Sequence, residues 1–295
     1  MHPLEPLTAE EIKTAAALVK DGGHLGEHGR FSSITLLEPP KDGAPVGREA
    51  VALVYDRASG SASSVVVSLS AGSVVSSTAI PGSQPAYLLE EMAECIGLVK
   101  TDPRWLEAVR KRGVEDIEAV QCDPWPAGNF GVADEEGRRL LRVVSYVRHF
   151  DEDNGYAHPI EGVVATVDVG RQEVLSVEDH GVIPIPERCY NYTPSQVGAL
   201  RTDLKPLEIT QPEGTSFTVD GNELRWQKWR FRVSMHPLDG LVLHTVTIDD
   251  RSVLHRAGLG EMVVPYGETT PGHRWKNAFD SGELGLGRFP FVNSL

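Results

Sequence analysis

The sequence runs through one order of elements twice, with a period of roughly one hundred residues. In the first passage Thr8 and Glu11 make a capping-box pattern, and Leu7, Ile12, Ala15, Ala16 and Val19 fall at helical spacing until Gly22-Gly23. Strands are predicted at Phe31–Leu37, Ala50–Asp56, Ser64–Leu69 and Val74–Ala79, punctuated by Pro39-Pro40, Ser59–Ser61 and Ala71-Gly72. In the second passage Pro85–Lys100 and Pro103–Arg112 have helical periodicity, and Val114–Cys122 reads as a strand ending at Asp123-Pro124. Leu140–Phe150 then matches the second strand, and Glu161–Asp179 parallels Ser63–Ala79, with Gly72 and Gly170 at equivalent turns. A period this long is a domain duplication rather than a solenoid, whose units run about 20–50 residues. Each copy is predicted to be a small α+β domain, a helix packed on one face of an antiparallel sheet.

The pattern then changes. Val182–Leu207 carries several prolines and no sustained periodicity, and reads as a linker. Glu223–Met235 is predicted to be one long alternating strand, with Trp226, Lys228, Arg230 and Arg232 on one face. Pro237–Gly240 turns it back into Leu241–Ile248, a hairpin that opens a β-sandwich. The predicted organisation is therefore α+β throughout: domains at 1–83 and 84–181, a linker at 182–222, and the first strands of an incomplete sandwich at 223–295.

A net charge of −14 argues against nonspecific binding to nucleic acid or an anionic membrane surface. The N-terminal stretch MHPLEPLTAEEIK has neither the basic nor the apolar region of a secretory signal, and no apolar run approaches the roughly 20 residues of a membrane span. Cys95, Cys122 and Cys189 are odd in number and make no CxxC pair, which fits free thiols in a reducing cytoplasm.

Asp280 is the residue with most chemical promise, a lone carboxylate between Phe279 and a run of glycines. Asp280-Ser281-Gly282 also reads as an ordinary turn. The functional reading needs apolar surroundings, which Phe279, Leu284 and Leu286 could provide, to raise the carboxyl pKa so that it takes a proton from carbon near neutral pH. Asp280 and Glu283, three residues apart in a turn, do not make a positioned glycosidase pair. Gly282, Gly285 and Gly287 do not form a dinucleotide loop, and no P-loop or nucleophile elbow is present. Lys228, Arg230 and Arg232 read as a solvated strand face, and His244, between Val242 and Val246, as a satisfied half-buried histidine.

The segment RFRVSMHPLDGLVLHTVTIDDRSVLHRAGLGEMVVPYGETTPGHRWKNAFDSGELGLGRFPF resembles the opening of the catalytic domain of the copper- and topaquinone-dependent primary-amine oxidases. The HP-x-DGLVLH hairpin, the HRA…EMVVPYG strand and FD-x-GE carry the likeness, and the repeated α+β units resemble that family's paired N-terminal domains. The resemblance implies that Asp280 is the catalytic base that removes the α-proton of the substrate Schiff base. It implies that Tyr266 of VVPYG hydrogen-bonds a quinone oxygen, and that Ala278 holds the substrate-gate position, where an aromatic is frequent. Leu284 also departs from the family pattern, in which an aromatic commonly follows GE. Copper on three histidines and the topaquinone tyrosine, in an Asn-Tyr-Asp/Glu context, are expected downstream of Leu295; Asn191-Tyr192-Thr193 shares only Asn-Tyr. The implied protein is the N-terminal part of a homodimeric oxidase acting on primary amines with O2, inactive as this isolated chain. The alternative is a truncated, non-catalytic scaffold.

Overall fold

The computed structural model describes residues 2–41, 47–260, 262–277 and 284–287. It divides into two units: residues 1–88 with 212–262 and the short piece 284–287, and residues 89–211 with 263–277.

In the first unit Thr8 starts α1 (Ala9–Asp21) as its spacing predicts. Thr8 Oγ1 accepts from the Glu11 N–H at 3.2 Å, and the Glu11 carboxylate accepts from the Thr8 N–H at 2.8 Å. The helix covers one face of a meander, β1 (Gly29–Leu36), β2 (Glu49–Asp56), β3 (Ser61–Ser68) and β4 (Ser73–Ile80), antiparallel in that order. Ala15 and Val19 pack on Ala50, Ala52, Val54, Val65 and Val67, the inward positions of alternating strands.

Glu11 has a second role. Its carboxylate takes the guanidinium of Arg48, which also donates to the carbonyls of Glu5 and Pro6 at 3.1 and 3.0 Å. The Arg48 hydrogen bond, against the opposing effect of burial, holds the Glu11 pKa at about 2 instead of 4.5. A depressed carboxyl stabilises fully above its unfolded value and loses that contribution as pH falls through the folded one. Arg48→Ala is therefore expected to lower Tm at pH 7. The gap to the parent protein should close as thermal melts are taken from about pH 4.5 towards pH 2.

The five-stranded sheet of this unit runs β13-β12-β11-β10-β9, all antiparallel. Its strands are β9 (Phe217–Asp220), β10 (Glu223–Trp226), β11 (Trp229–His236), β12 (Gly240–Ile248) and β13 (Arg251–Ala257). The long strand predicted over Glu223–Met235 is in fact two. Gln227 adopts φ +53, and a two-residue turn sets Trp226 opposite Trp229. A bulge between Arg230 and Arg232 further breaks the predicted alternation. Arg232 is consequently buried rather than solvated, paired with Glu5 and with Glu223 at 3.6 Å.

In the second unit α2 (Leu89–Thr101) and α3 (Pro103–Arg110) pack on β5 (Val120–Pro126), β6 (Leu140–Val147), β7 (Val163–Asp168) and β8 (Glu173–Asp179), again an antiparallel meander. Asp102 caps α3 by accepting from the Arg104 N–H at 2.8 Å, with Pro103 at the first helical position. The predicted strand over Val114–Cys122 begins only at Val120. Gly113, at φ +83, and Val114 are used to close the helix, and the Val114 N–H reaches back to the Val109 carbonyl. Beyond β8 the chain has no helix or strand as far as β9.

A buried ion pair ties α2 to the sheet: Arg139 donates through Nε and Nη2 to the two Glu91 oxygens at 2.6 and 2.7 Å, both residues almost wholly excluded from solvent. Glu91→Ala strands a buried guanidinium and is expected to cost about 3–5 kcal/mol of unfolding free energy. The double replacement Glu91→Leu with Arg139→Met should cost less, as read from denaturant titrations of both proteins.

Candidate functional site

The strands β6 and β7 are buried on both faces, with burial patterns that leave almost no exposed position. Leu141, Val143, Ser145 and Val147 alternate with Arg142, Val144 and Tyr146, so the two sets point to opposite faces. Towards the helices, Ser145 Oγ accepts from Trp105 Nε1 at 3.3 Å. The other face is covered by residues 263–277, the stretch that contains VVPYG.

Trp275 anchors that cover. It is 6% exposed and packs on Val144 and Val164, with Trp125 and Tyr146 around it, and its Nε1 donates to the Pro271 carbonyl at 2.9 Å. The Arg142 guanidinium lies 5.9 Å from the Trp275 ring, and the Lys276 ammonium lies 4.5 Å from the ring of Trp125. The segment doubles back on itself: the Val264 N–H donates to the Asn277 carbonyl at 3.0 Å, and that of Tyr266 to the Lys276 carbonyl at 3.5 Å. VVPYG is therefore extended backbone joined to the return limb by two hydrogen bonds rather than a strand of a sheet.

Tyr266 is 42% exposed, and its ring meets that of Trp125 edge to face, 6.1 Å between centroids. Of the three site residues singled out in the sequence it is the one described. Ala278 and Asp280 lie outside the described residues, as does Glu283. Gly128, at φ +72, backs the hairpin so closely that a Cβ there would stand 2.4 Å from Asn277 Nδ2. Beside the segment is a cavity of about 260 Å³, lined in part by Tyr146, Tyr156, Ile160, His273 and Lys276.

Gly285 and Gly287 have a packing role in the first unit. A Cβ on Gly285 or Gly287 would stand 2.4 or 2.1 Å from the carbonyl oxygens of Pro237 and His236, and Leu286 N–H donates to Leu238 at 2.9 Å. His236 Nδ1 accepts from the Leu238 and Asp239 N–H groups of the same turn. His244 is buried, with Nε2 2.8 Å from Ser234 Oγ and Nδ1 3.8 Å from Glu38. Burial lowers its pKa, and the nearby arginines add to that while Glu38 opposes it.

Among the described residues no three histidines converge. One group has ligating atoms close enough together for a single ion, His149, Asp153 and His158, in the connection between β6 and β7. The sequence reading missed it, since His-x3-Asp-x4-His in a loop has no diagnostic spacing, and only the turn at 149–158 makes the three neighbours.

Trp275→Ala removes the anchor of the cover and is expected to cost about 3–5 kcal/mol. Hydrogen exchange should then show the Val264 amide losing protection while the amides of β1–β4 keep theirs.

Comparison with known proteins follows the chain from end to end. Residues 8–77 match the family description "AGAO-like N2 domain", 90–194 match "Copper amine oxidase, N3 domain", and 218–295 match "Copper amine oxidase, enzyme domain". The chain is 46% identical over 303 residues to a primary amine oxidase of Arthrobacter sp. (strain P1), covering 100% of this chain and 46% of that protein. It is 42% identical over 300 residues to a histamine oxidase of Arthrobacter globiformis, covering 97% of this chain and 44% of the relative. The solved structure of a copper-containing benzylamine oxidase from Hansenula polymorpha superposes with a TM-score of 0.80 at 27% identity, over 98% of this chain and 49% of that one. The chain spans about half the length of the relatives it matches.

Proposed function

Because this chain belongs to the copper amine oxidase family, we propose that it supplies the N-terminal part of a primary-amine oxidase. Such an enzyme converts a primary amine, O2 and water to aldehyde, hydrogen peroxide and ammonia. The observation that carries this reading is the enzyme-domain match over residues 218–295, a span that holds both Tyr266 and Asp280.

Within that reading Asp280 is the base that takes a proton from substrate carbon, and Tyr266 supports the cofactor with its hydroxyl. Ala278, small where the family favours an aromatic, leaves the substrate entrance wide. The Trp275 anchor and the backbone pairing of Val264 with Asn277 support this assignment. They hold the residue directly before Ala278 and tie it to the Tyr266 strand. We further assign the complete enzyme a homodimeric state and, from the three free thiols, a cytoplasmic setting.

Among the described residues neither the three-histidine copper set nor the topaquinone tyrosine that the family implies is brought together. No three described histidines come together, and the Asn191-Tyr192-Thr193 stretch is otherwise engaged. The Asn191 amide is bonded to Asp153 and to the Asn154 N–H, and Tyr192 is 82% exposed. Purified chain supplied with Cu(II) is therefore expected to release no amine-dependent peroxide, and copper-dependent turnover would overturn this assignment of parts. In a polypeptide that continues the sequence through the rest of an enzyme domain, Asp280→Asn should lower kcat by about 10²–10⁴-fold with folding unchanged. A continued polypeptide that folds but never turns over would favour the scaffold reading instead.

A further inference from the structure

We infer that His149, Asp153 and His158 form a binding site for one divalent transition-metal ion of the zinc class, clipping the β6–β7 connection to residues 186–191.

His158 is fully buried, and its Nδ1 lies 2.5 Å from the Pro186 carbonyl oxygen. A carbonyl only accepts, so Nδ1 carries the proton and donates it. In the neutral ring Nε2 is then a bare lone pair. That nitrogen is buried and has no hydrogen-bond partner, yet the carboxylate oxygen Oδ2 of Asp153, itself an acceptor, lies 3.3 Å away. Two acceptors facing each other at that distance need positive charge between or upon them. A proton on Nε2 would supply it, but the pair lacks hydrogen-bond alignment. The His149 ring stands edge-on to His158 with centroids 4.3 Å apart, which brings a second imidazole to the same carboxylate. A metal ion uses all three groups. Ligands at about 2.0–2.1 Å from a tetrahedral ion stand about 3.3 Å apart, the separation of His158 Nε2 from Asp153 Oδ2; the three ligating atoms lie within 4.8 Å of one another, so the exposed His149 ring has to draw in to complete the set.

The surroundings are those of a ligand set held in place. The ring nitrogen of His158 away from the site is bound to backbone, which fixes the tautomer that leaves Nε2 free to coordinate. Asp153 Oδ1 accepts from Asn191 Nδ2 at 3.0 Å and Oδ2 from the His149 N–H at 2.9 Å, while Asn191 Oδ1 accepts from the Asn154 N–H at 2.7 Å. Cys189 is exposed nearby, but its sulfur is not among the atoms that converge. Two imidazoles and one carboxylate suit Zn(II) and its neighbours rather than Mg(II) or Ca(II), which take oxygen ligands. His149, on the solvent side, leaves the remaining position open to water.

The test uses the untagged full chain, titrated calorimetrically with ZnCl2 and, in parallel, with CoCl2 followed by visible absorption. The expected result is one Zn(II) per chain and the intense visible bands of low-coordinate cobalt. His149→Gln, on the exposed side, should keep the melting profile of the metal-free parent and weaken Zn(II) binding by at least roughly tenfold. His158→Gln is the more direct change, but its buried position makes His149→Gln the deciding variant. Failure of the parent chain to bind Zn(II) stoichiometrically overturns the site, as does unchanged binding by a folded His149→Gln. Binding abolished by alkylating Cys189 and untouched in His149→Gln would move the ion elsewhere and equally overturn it.

Discussion

The second unit depends on covering a strand pair from both sides. β6 and β7 present apolar side chains above and below, so a layer of helices on one face leaves Val144 and Val164 facing water on the other. The second layer comes from far along the chain, in the stretch around Trp275. That packing requirement places Tyr266 beside Trp125 and brings Asn277 back against Val264. The stretch that carries Tyr266 is thus part of the hydrophobic layering of the second unit.

Much of the fold was legible locally. Thr8 with Glu11, the Gly22-Gly23 stop and the alternation in β2 act within a few residues, and the structure agrees with them. What was not legible depends on partners distant in sequence. Leu140–Val147 is a nearly continuous apolar run, which signals two buried faces without saying what lies on the second. Arg232 reads as a surface cation until Glu5, more than two hundred residues away, is placed against it. The turn at Gln227 lacks the glycine or asparagine that normally announces it, so the break between β10 and β11 stayed hidden. At the candidate site Tyr266 could be singled out from VVPYG, but its contact with Trp125 could not. The His149–Asp153–His158 group escaped because its members meet through the shape of a loop.

Both units also use arginine in the same way. Arg48, Arg139 and Arg232 each meet a carboxylate in a place with little access to water. Such pairs are poor sources of net stability but penalise alternatives, since any arrangement that separates the partners leaves a charge buried alone. In a chain with two similar α+β copies this matters: Glu11 and Glu91 sit on corresponding first helices but reach different arginines, so each helix has its own sheet.

The long separation between the sheet and its second cover has a consequence for synthesis on the ribosome. Val144 and Val164 leave the exit tunnel roughly one hundred residues before Trp275 does, an interval of about 5–20 s at ordinary elongation rates. Through that interval Val144 and Val164 lack the Trp275 cover that the finished unit gives them.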